Sequence, residues 1–228
     1  MKALFLDVDG VIIDSIDECY LISSEVYFKN FKTRIPAPET KALFYQHRGL
    51  VRPVYQYMVL FQAIESIQQG NGSDIEQKFF ELDQSSQVDD NNRFENLFFG
   101  LRKKYQADLT FWIKINPLTP FGQTIKEKHL PNTFFITTKD KVSVEHISKH
   151  YSIKVDGIFD KEIYSSLGSK GKIITNFLND HNDYDSAVFV DDAVEHLDSV
   201  DDSRIKCYFA NWGYGKNRDY PEYSPDLW

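Results

Sequence analysis

Asp7 and Asp9 stand one residue apart at the end of the apolar run ALFLDVDG, and Gly10 follows them directly. Carboxylates that close repel each other when both are ionised, so the pair needs either a well-hydrated surface turn or a compensating cation. A second acidic pair, Asp191 and Asp192, ends the apolar run AVFVDD near the other end of the chain. Between them, FFITTK ends in Thr137, Thr138 and Lys139, and GIFD ends in Asp160. A lone Asp-x-Asp-Gly is best read as a hydrated turn. Four apolar runs that each end in polar groups favour a shared site instead. Carboxylate and carbonyl oxygens suit a hard ion, and magnesium takes one or two protein carboxylates together with a substrate phosphate. Gly10 lets the backbone turn sharply where the first run ends.

These runs are expected to be buried parallel strands. ALFLDV (3–8), TFFITT (133–138), GIFD (157–160), AVFVDD (187–192) and IKCYFA (205–210) are short, apolar and separated by helical segments from Pro117 onwards. Strand alternating with helix implies an α/β protein, a parallel sheet with helices on both faces. In such sheets ligands bind beyond the carboxyl ends of the strands, so the polar ends of all four runs should converge on one crevice. Thr119-Pro120 reads as an N-cap followed by proline at the first helical position. Helices are expected over 141–151 and 170–181.

Residues 15–112 read as one helical insertion, leaving 1–14 and 113–228 as the core. Ser15 to Glu18 forms a capping box for a helix running towards Phe31, with Ile16, Tyr20, Tyr27 and Phe31 on one face. A helix is expected over 51–69, with Pro53 in its first turn. Ser73 to Glu76 is a second capping box, DQSSQVDDNN (83–92) a polar linker, and 93–112 a further helix.

Bulk properties exclude several classes. A net charge of −8 argues against a nucleic-acid or anionic-membrane surface, because those need basic patches. No apolar stretch approaches the ~18 residues of a membrane span, and the opening run lacks the length and cleavage site of a secretory leader. A cytoplasmic protein is the expectation. Cys19 and Cys207 have no metal or redox spacing and read as small buried hydrophobes.

Taken together, DVDGV (7–11), FFITT (134–138), a lysine in SKGKII (169–174) and FVDD (189–192) resemble the four motifs of the haloacid dehalogenase-like superfamily, in order. The helical insertion after the first motif resembles that family's C1-type cap. The resemblance implies a Rossmann-like three-layer core with an all-helical cap, and a magnesium-dependent phosphatase acting on a small phosphorylated metabolite. It further implies that Asp7 is the nucleophile and that Asp9 is the acid and base. Thr137 would hold a phosphoryl oxygen, with Thr138 beside the substrate, and Lys170 would steady the charge. Asp7, Asp9 through its backbone carbonyl, Asp191 and Asp192 would form the Mg2+ site. Lys172 stays open as an alternative to Lys170, which is preferred because it precedes the apolar face of Ile173 and Ile174. Members that cleave carbon–halogen bonds lack an acid at the Asp9 position, so phosphoryl transfer is favoured. A phosphomutase of the same superfamily and a phospho-accepting interaction protein are the rival readings.

In the insertion, Arg48 and Arg52 of QHRGLVRP could reach an anionic substrate, since guanidinium suits carboxylate and phosphate; alternatively both serve the surface. His146 and His150 lack a third zinc ligand. Glu195 and His196 either support the acidic pair or simply belong to a short helix. The Gly-x-Gly of NWGYG (211–215) carries no chemistry by itself, and Asp14 and Ser15 read as helix-capping residues.

Overall fold

The computed structural model describes residues 1–32 and 36–224. In chain order the elements are β1 (Lys2–Leu6), α1 (Ile16–Tyr27), α2 (Thr40–His47), α3 (Gln56–Gln68), α4 (Ile75–Gln84), α5 (Val88–Gln106), α6 (Leu109–Lys114), α7 (Pro120–Lys128), β2 (Thr133–Ile136), α8 (Lys141–Tyr151), β3 (Gly157–Phe159), α9 (Lys161–Leu167), α10 (Lys170–Asp180), β4 (Ser186–Asp191), α11 (Val194–Leu197) and β5 (Ile205–Phe209). The chain divides into two compact units, residues 1–15 with 117–228 and residues 16–116.

The first unit is a five-stranded, wholly parallel sheet in the order β3-β2-β1-β4-β5. It is the α/β arrangement expected from the alternating runs, and it is Rossmann-like as the resemblance implies. β1 lies at the centre, and β2 and β4 flank it, so the first, second and fourth motifs end side by side. Side chains alternate across the pleat. Ala3 and Phe5 share one face with Phe134, Ile136, Ala187 and Phe189, where Ile173, Ile174, Phe177 and Leu178 of α10 cover them. Leu4, Leu6, Phe135, Val188 and Val190 are equally buried and take the other face. There Tyr208 meets Tyr223, which packs in turn on Phe121 of α7. Thr119 caps α7 as expected, accepting from the Gly122 N–H, with Pro120 at its first position.

Among its described residues the second unit contains helices and no strand. Its core is dominated by aromatic rings: Phe61 stacks on Tyr27 and Phe44, and Tyr57 stacks on Phe44 and Phe98. Glu18, fully buried, accepts from Arg102 Nε at 2.7 Å and Trp112 Nε1 at 3.0 Å. Among the described residues no helix is long and apolar enough to cross a membrane.

Several local expectations need correction. The run 83–92 is not a linker. Only Ser85–Gln87 separates two helices, and Asp89 and Asp90 form the acidic first turn of α5. The helix dipole favours acids there, and Phe94 and Phe98, four residues apart and fully buried, hold the helix down. The helix expected over 93–112 is broken at Asp108, which caps α6 through the Phe111 N–H. The cap of α4 is Asp74 rather than Ser73, accepting from Glu76 and Gln77. The helix expected from residue 51 starts at Gln56, so Pro53 precedes it. Finally, α9 has no counterpart among the sequence expectations. Its N-cap is Asp160, whose side chain accepts from the Ile163 N–H.

Candidate active site

Asp7 follows β1 directly, and its N–H donates to Val190 O at 3.0 Å, so the end of β1 is stitched to β4. Asp191 is the last residue of β4, and Asp192 follows it. Carboxylate oxygens of Asp7, Asp191 and Asp192 all lie within 4.8 Å of one another, and all three residues are buried. The two ends of the chain therefore do bring their acids together. Gly10 adopts φ +85°, a left-handed conformation that side chains rarely take, and a Cβ there would stand 2.5 Å from Asp192 Oδ2. The glycine of the first motif is needed both for its turn and for the room it leaves.

Lys170 is the lysine that enters the cluster. Its ammonium donates to Asp7 Oδ1 at 2.6 Å and to Asp191 Oδ2 at 2.7 Å, and its side chain is 1% exposed. Lys172 is exposed. Ser169 sets the geometry, because it caps α10 by accepting from the Lys172 N–H and leaves Lys170 as the first helical residue.

The electrostatics separate the two acids that Lys170 touches. Burial would raise the Asp191 carboxyl, but the charges of Lys170 and His196 outweigh it and hold the group well below the usual carboxylate range. Asp191 is also fully hydrogen-bonded, with Oδ1 accepting from the Ala193 N–H at 2.8 Å and Oδ2 lying 3.1 Å from His196 Nδ1. Asp7 is pushed the other way. Burial raises it well above the usual range, Lys170 opposes, and Asp191 and Asp192 add to the rise. Burial would lower the Lys170 ammonium, and the two aspartates reverse this and raise it. Asp7 and Asp191 share Lys170, and of these two Asp7 is the one whose carboxyl burial displaces upwards.

Asp9 does not bring its side chain to this cluster. Its Oδ1 accepts from Lys139 Nζ at 3.0 Å. Thr137, buried at the end of β2, accepts from the Lys139 N–H at 3.1 Å, a local turn that aims the lysine. Thr138 is exposed beside it. Asp160, expected among the converging acids, is engaged in capping α9 and is not part of the oxygen cluster.

In the helical unit, Arg52 Nη1 donates to Gly49 O at 2.6 Å and Val51 O at 3.1 Å, and Arg48 Nη1 to Val51 O at 3.1 Å. Arg48 also lies over the Tyr57 ring. Both guanidiniums thus brace the 48–51 turn.

Two residues of the sheet unit, Lys139 and Tyr214, gain an importance that the sequence does not give them, and His196 takes up the supporting role beside the acidic pair that the sequence leaves open. Lys139 stands there only as the residue after the second motif, yet it is buried against Asp9. His196 reaches Asp191 from α11. Tyr214, in the Gly-x-Gly loop, donates its N–H to Asp192 Oδ2 at 2.6 Å. The signals in the sequence are the position of Lys139, two residues past Thr137, and that of His196, close behind the acidic pair.

The structure matches a haloacid dehalogenase-like family hydrolase from Streptococcus pneumoniae with a TM-score of 0.58 at 19% identity, over 99% of this chain and 95% of that one. A candidate phosphoglycolate phosphatase from Lactobacillus plantarum gives 0.62 at 13% identity, over 98% and 94% of the two chains. A candidate hydrolase of the same superfamily from Bacillus subtilis, bound to magnesium, gives 0.54 at 10% identity over 97% and 92%. No family model and no curated protein matches the sequence. The chain therefore has the fold of the haloacid dehalogenase-like hydrolases, a parallel Rossmann-like sheet carrying a helical insertion after its first strand.

Proposed function

We propose that the protein is a magnesium-dependent phosphatase that hydrolyses a small phosphate monoester through a covalent intermediate on Asp7. The observation that carries this reading is the Lys170 ammonium held between Asp7 and Asp191, with Asp192 in the same oxygen cluster. Three buried carboxylates whose oxygens lie within 4.8 Å of one another form an all-oxygen donor set that fits a hard divalent ion. Asp7, Asp191 and Asp192, with the backbone carbonyl of Asp9, would hold it. When bound, Mg2+ offsets charge on the phosphoryl oxygens and favours the ionised form of Asp7.

The residues then divide the work. A carboxylate oxygen of Asp7 attacks phosphorus, the bond from phosphorus to the ester oxygen breaks, and Asp9 gives its proton to the departing oxygen. Asp9, now ionised, takes a proton from a water whose oxygen attacks phosphorus. The bond between Asp7 and phosphorus breaks, and inorganic phosphate leaves. Lys170 offsets charge on Asp7 and on the phosphoryl group, and the Thr137 hydroxyl holds a phosphoryl oxygen with Thr138 beside it. Arg48 and Arg52 would recognise the anionic remainder of the substrate, a role supported by their charge, besides bracing their own turn.

Phosphoglycolate belongs in the first substrate panel, because a Lactobacillus plantarum protein of this fold is described as a candidate phosphatase for it. The test is phosphate release from a monoester panel with Mg2+ and with EDTA, run beside Asp7→Asn. Metal-dependent release by the wild type and none by the variant is expected. No release from any monoester would overturn the reading, and turnover that needs a bisphosphate and yields little free phosphate would replace it with a mutase.

A further inference from the structure

The loop 211–215, after β5, is wound around Asp192 although its Gly-x-Gly pattern takes no part in the chemistry above. The Tyr214 N–H donates to Asp192 Oδ2 at 2.6 Å. A Cβ on Gly213 would stand 2.3 Å from Asp192 Cβ and 2.6 Å from its Oδ2, and one on Gly215 would stand 1.8 Å from the Asp192 carbonyl oxygen. Both glycines are present because the loop backbone lies directly against this one aspartate. An N–H to a carboxylate is among the stronger hydrogen bonds, and it fixes the rotation of the acceptor group.

The other end of the same tyrosine is anchored too. Tyr214 Oη donates to Asp14 Oδ1 at 2.8 Å and accepts from the Ser15 N–H at 2.6 Å. Two residues earlier, Trp212 Nε1 donates to Val11 O at 3.1 Å. Asp14 and Ser15, which the sequence suggests as capping residues, are thus partners of a residue 200 and 199 positions away.

We infer that Tyr214 is the positioning residue of Asp192. Its phenol pins the loop to Asp14 and Ser15, and the pinned backbone presents the amide that orders Asp192 as a cation ligand. The inference rests on the proposed cation site and adds a residue to it. Groups that orient a metal ligand typically change metal affinity by about 10–100-fold when lost. Tyr214→Phe keeps the amide and the ring and removes only the anchor, whereas Gly213→Ala pushes a methyl into Asp192 itself.

The experiment is a calorimetric Mg2+ titration of the wild type and both variants, with the melting temperature of each measured without metal. Tyr214→Phe should weaken Mg2+ binding about 10-fold and Gly213→Ala about 100-fold, with the metal-free melting temperature of Tyr214→Phe kept. A wild type that binds no Mg2+ overturns the phosphatase reading and this inference together. Wild-type binding that Tyr214→Phe matches, or a loss that only parallels lower metal-free stability, overturns this inference alone. Amide hydrogen exchange of wild-type residues 211–216 needs no variant. Exchange should slow when Mg2+ is added, and an unchanged rate counts against Tyr214.

Discussion

Lys139 Nζ lies 3.0 Å from Asp9 Oδ1, joining residues 130 positions apart, and of the two side chains only the carboxylate keeps contact with solvent. A lysine so deeply buried requires a charged partner, and here the partner is the proposed acid and base. Asp9 is therefore held by a fixed cation, while Asp7 and Asp191 share Lys170. Two neighbouring carboxylates of one motif are served by two separate lysines.

Lys139→Met should accordingly lower kcat. The substitution keeps an apolar stem of similar length and removes the ammonium that fixes Asp9. Misplacing a reacting group by about 1 Å can cost about 100-fold, so a fall of about 10–100-fold is expected in steady-state assays. A folded variant with wild-type kcat would show that Asp9 needs no such support.

Asp7→Asn and Asp9→Asn should differ in kind. The first removes the nucleophile, and all turnover should go. The second removes acid–base help worth about 10²–10⁴-fold. An activated ester such as a nitrophenyl phosphate needs little protonation of its leaving group. With Asp9→Asn it should give one rapid equivalent of nitrophenolate per active site and then slow down, because no base activates the water. Stopped-flow absorbance checks this; slow release from the first turnover onwards would argue against a covalent step before water attack.

Much of this is legible in the sequence because motif chemistry is local. Asp7, Asp9 and Gly10 declare themselves within four residues, and so do Thr137 and the Asp191–Asp192 pair, since each sits at the end of an apolar strand whose direction is known. Ile173 and Ile174 lean the choice towards Lys170 but leave Lys172 open, and what separates the two is the burial of Lys170 against Asp7 and Asp191. The misses share a different cause. Lys139 and Tyr214 matter through partners 130 and 22 residues away, and one sequence carries no sign of such pairings. The polar run 83–92 resembles a linker because its local composition hides the anchoring effect of the buried pair Phe94 and Phe98. Asp160 shows only that a carboxylate stands at a strand end, and helix capping claims it.

Lys170→Met should be strongly destabilising when metal is absent. It leaves Asp7 and Asp191 buried without their cation, and removing one partner of a buried pair typically costs about 3–5 kcal/mol. Denaturant melts without metal should show a loss of that order. Added Mg2+ should recover part of it, because a ligand that binds only the folded state stabilises by mass action. A variant as stable as the wild type would mean that the acids are neutralised some other way.

The pH dependence follows from the opposite displacements of Asp7 and Asp191. Asp191 is held below the usual carboxylate range, so it stabilises the fold above its unfolded pKa, and that stabilisation is lost as pH falls through its folded value. Asp7 is raised, so its contribution is present below the unfolded pKa and is lost as pH rises through its folded value. In the metal-free protein Asp7 thus becomes a growing cost as pH rises. Mg2+ competes with that same proton, and its binding must release it. The melting-temperature gain from a fixed Mg2+ concentration should therefore increase as pH rises from the ordinary carboxylate range towards the raised folded-state value of Asp7. Over the same range, calorimetry in buffers of different ionisation enthalpy should show proton release that is largest at the acidic end. A Mg2+ stabilisation that is flat across this window would mean that Asp7 is already ionised without the cation, and the lysine alone would then suffice to charge the nucleophile.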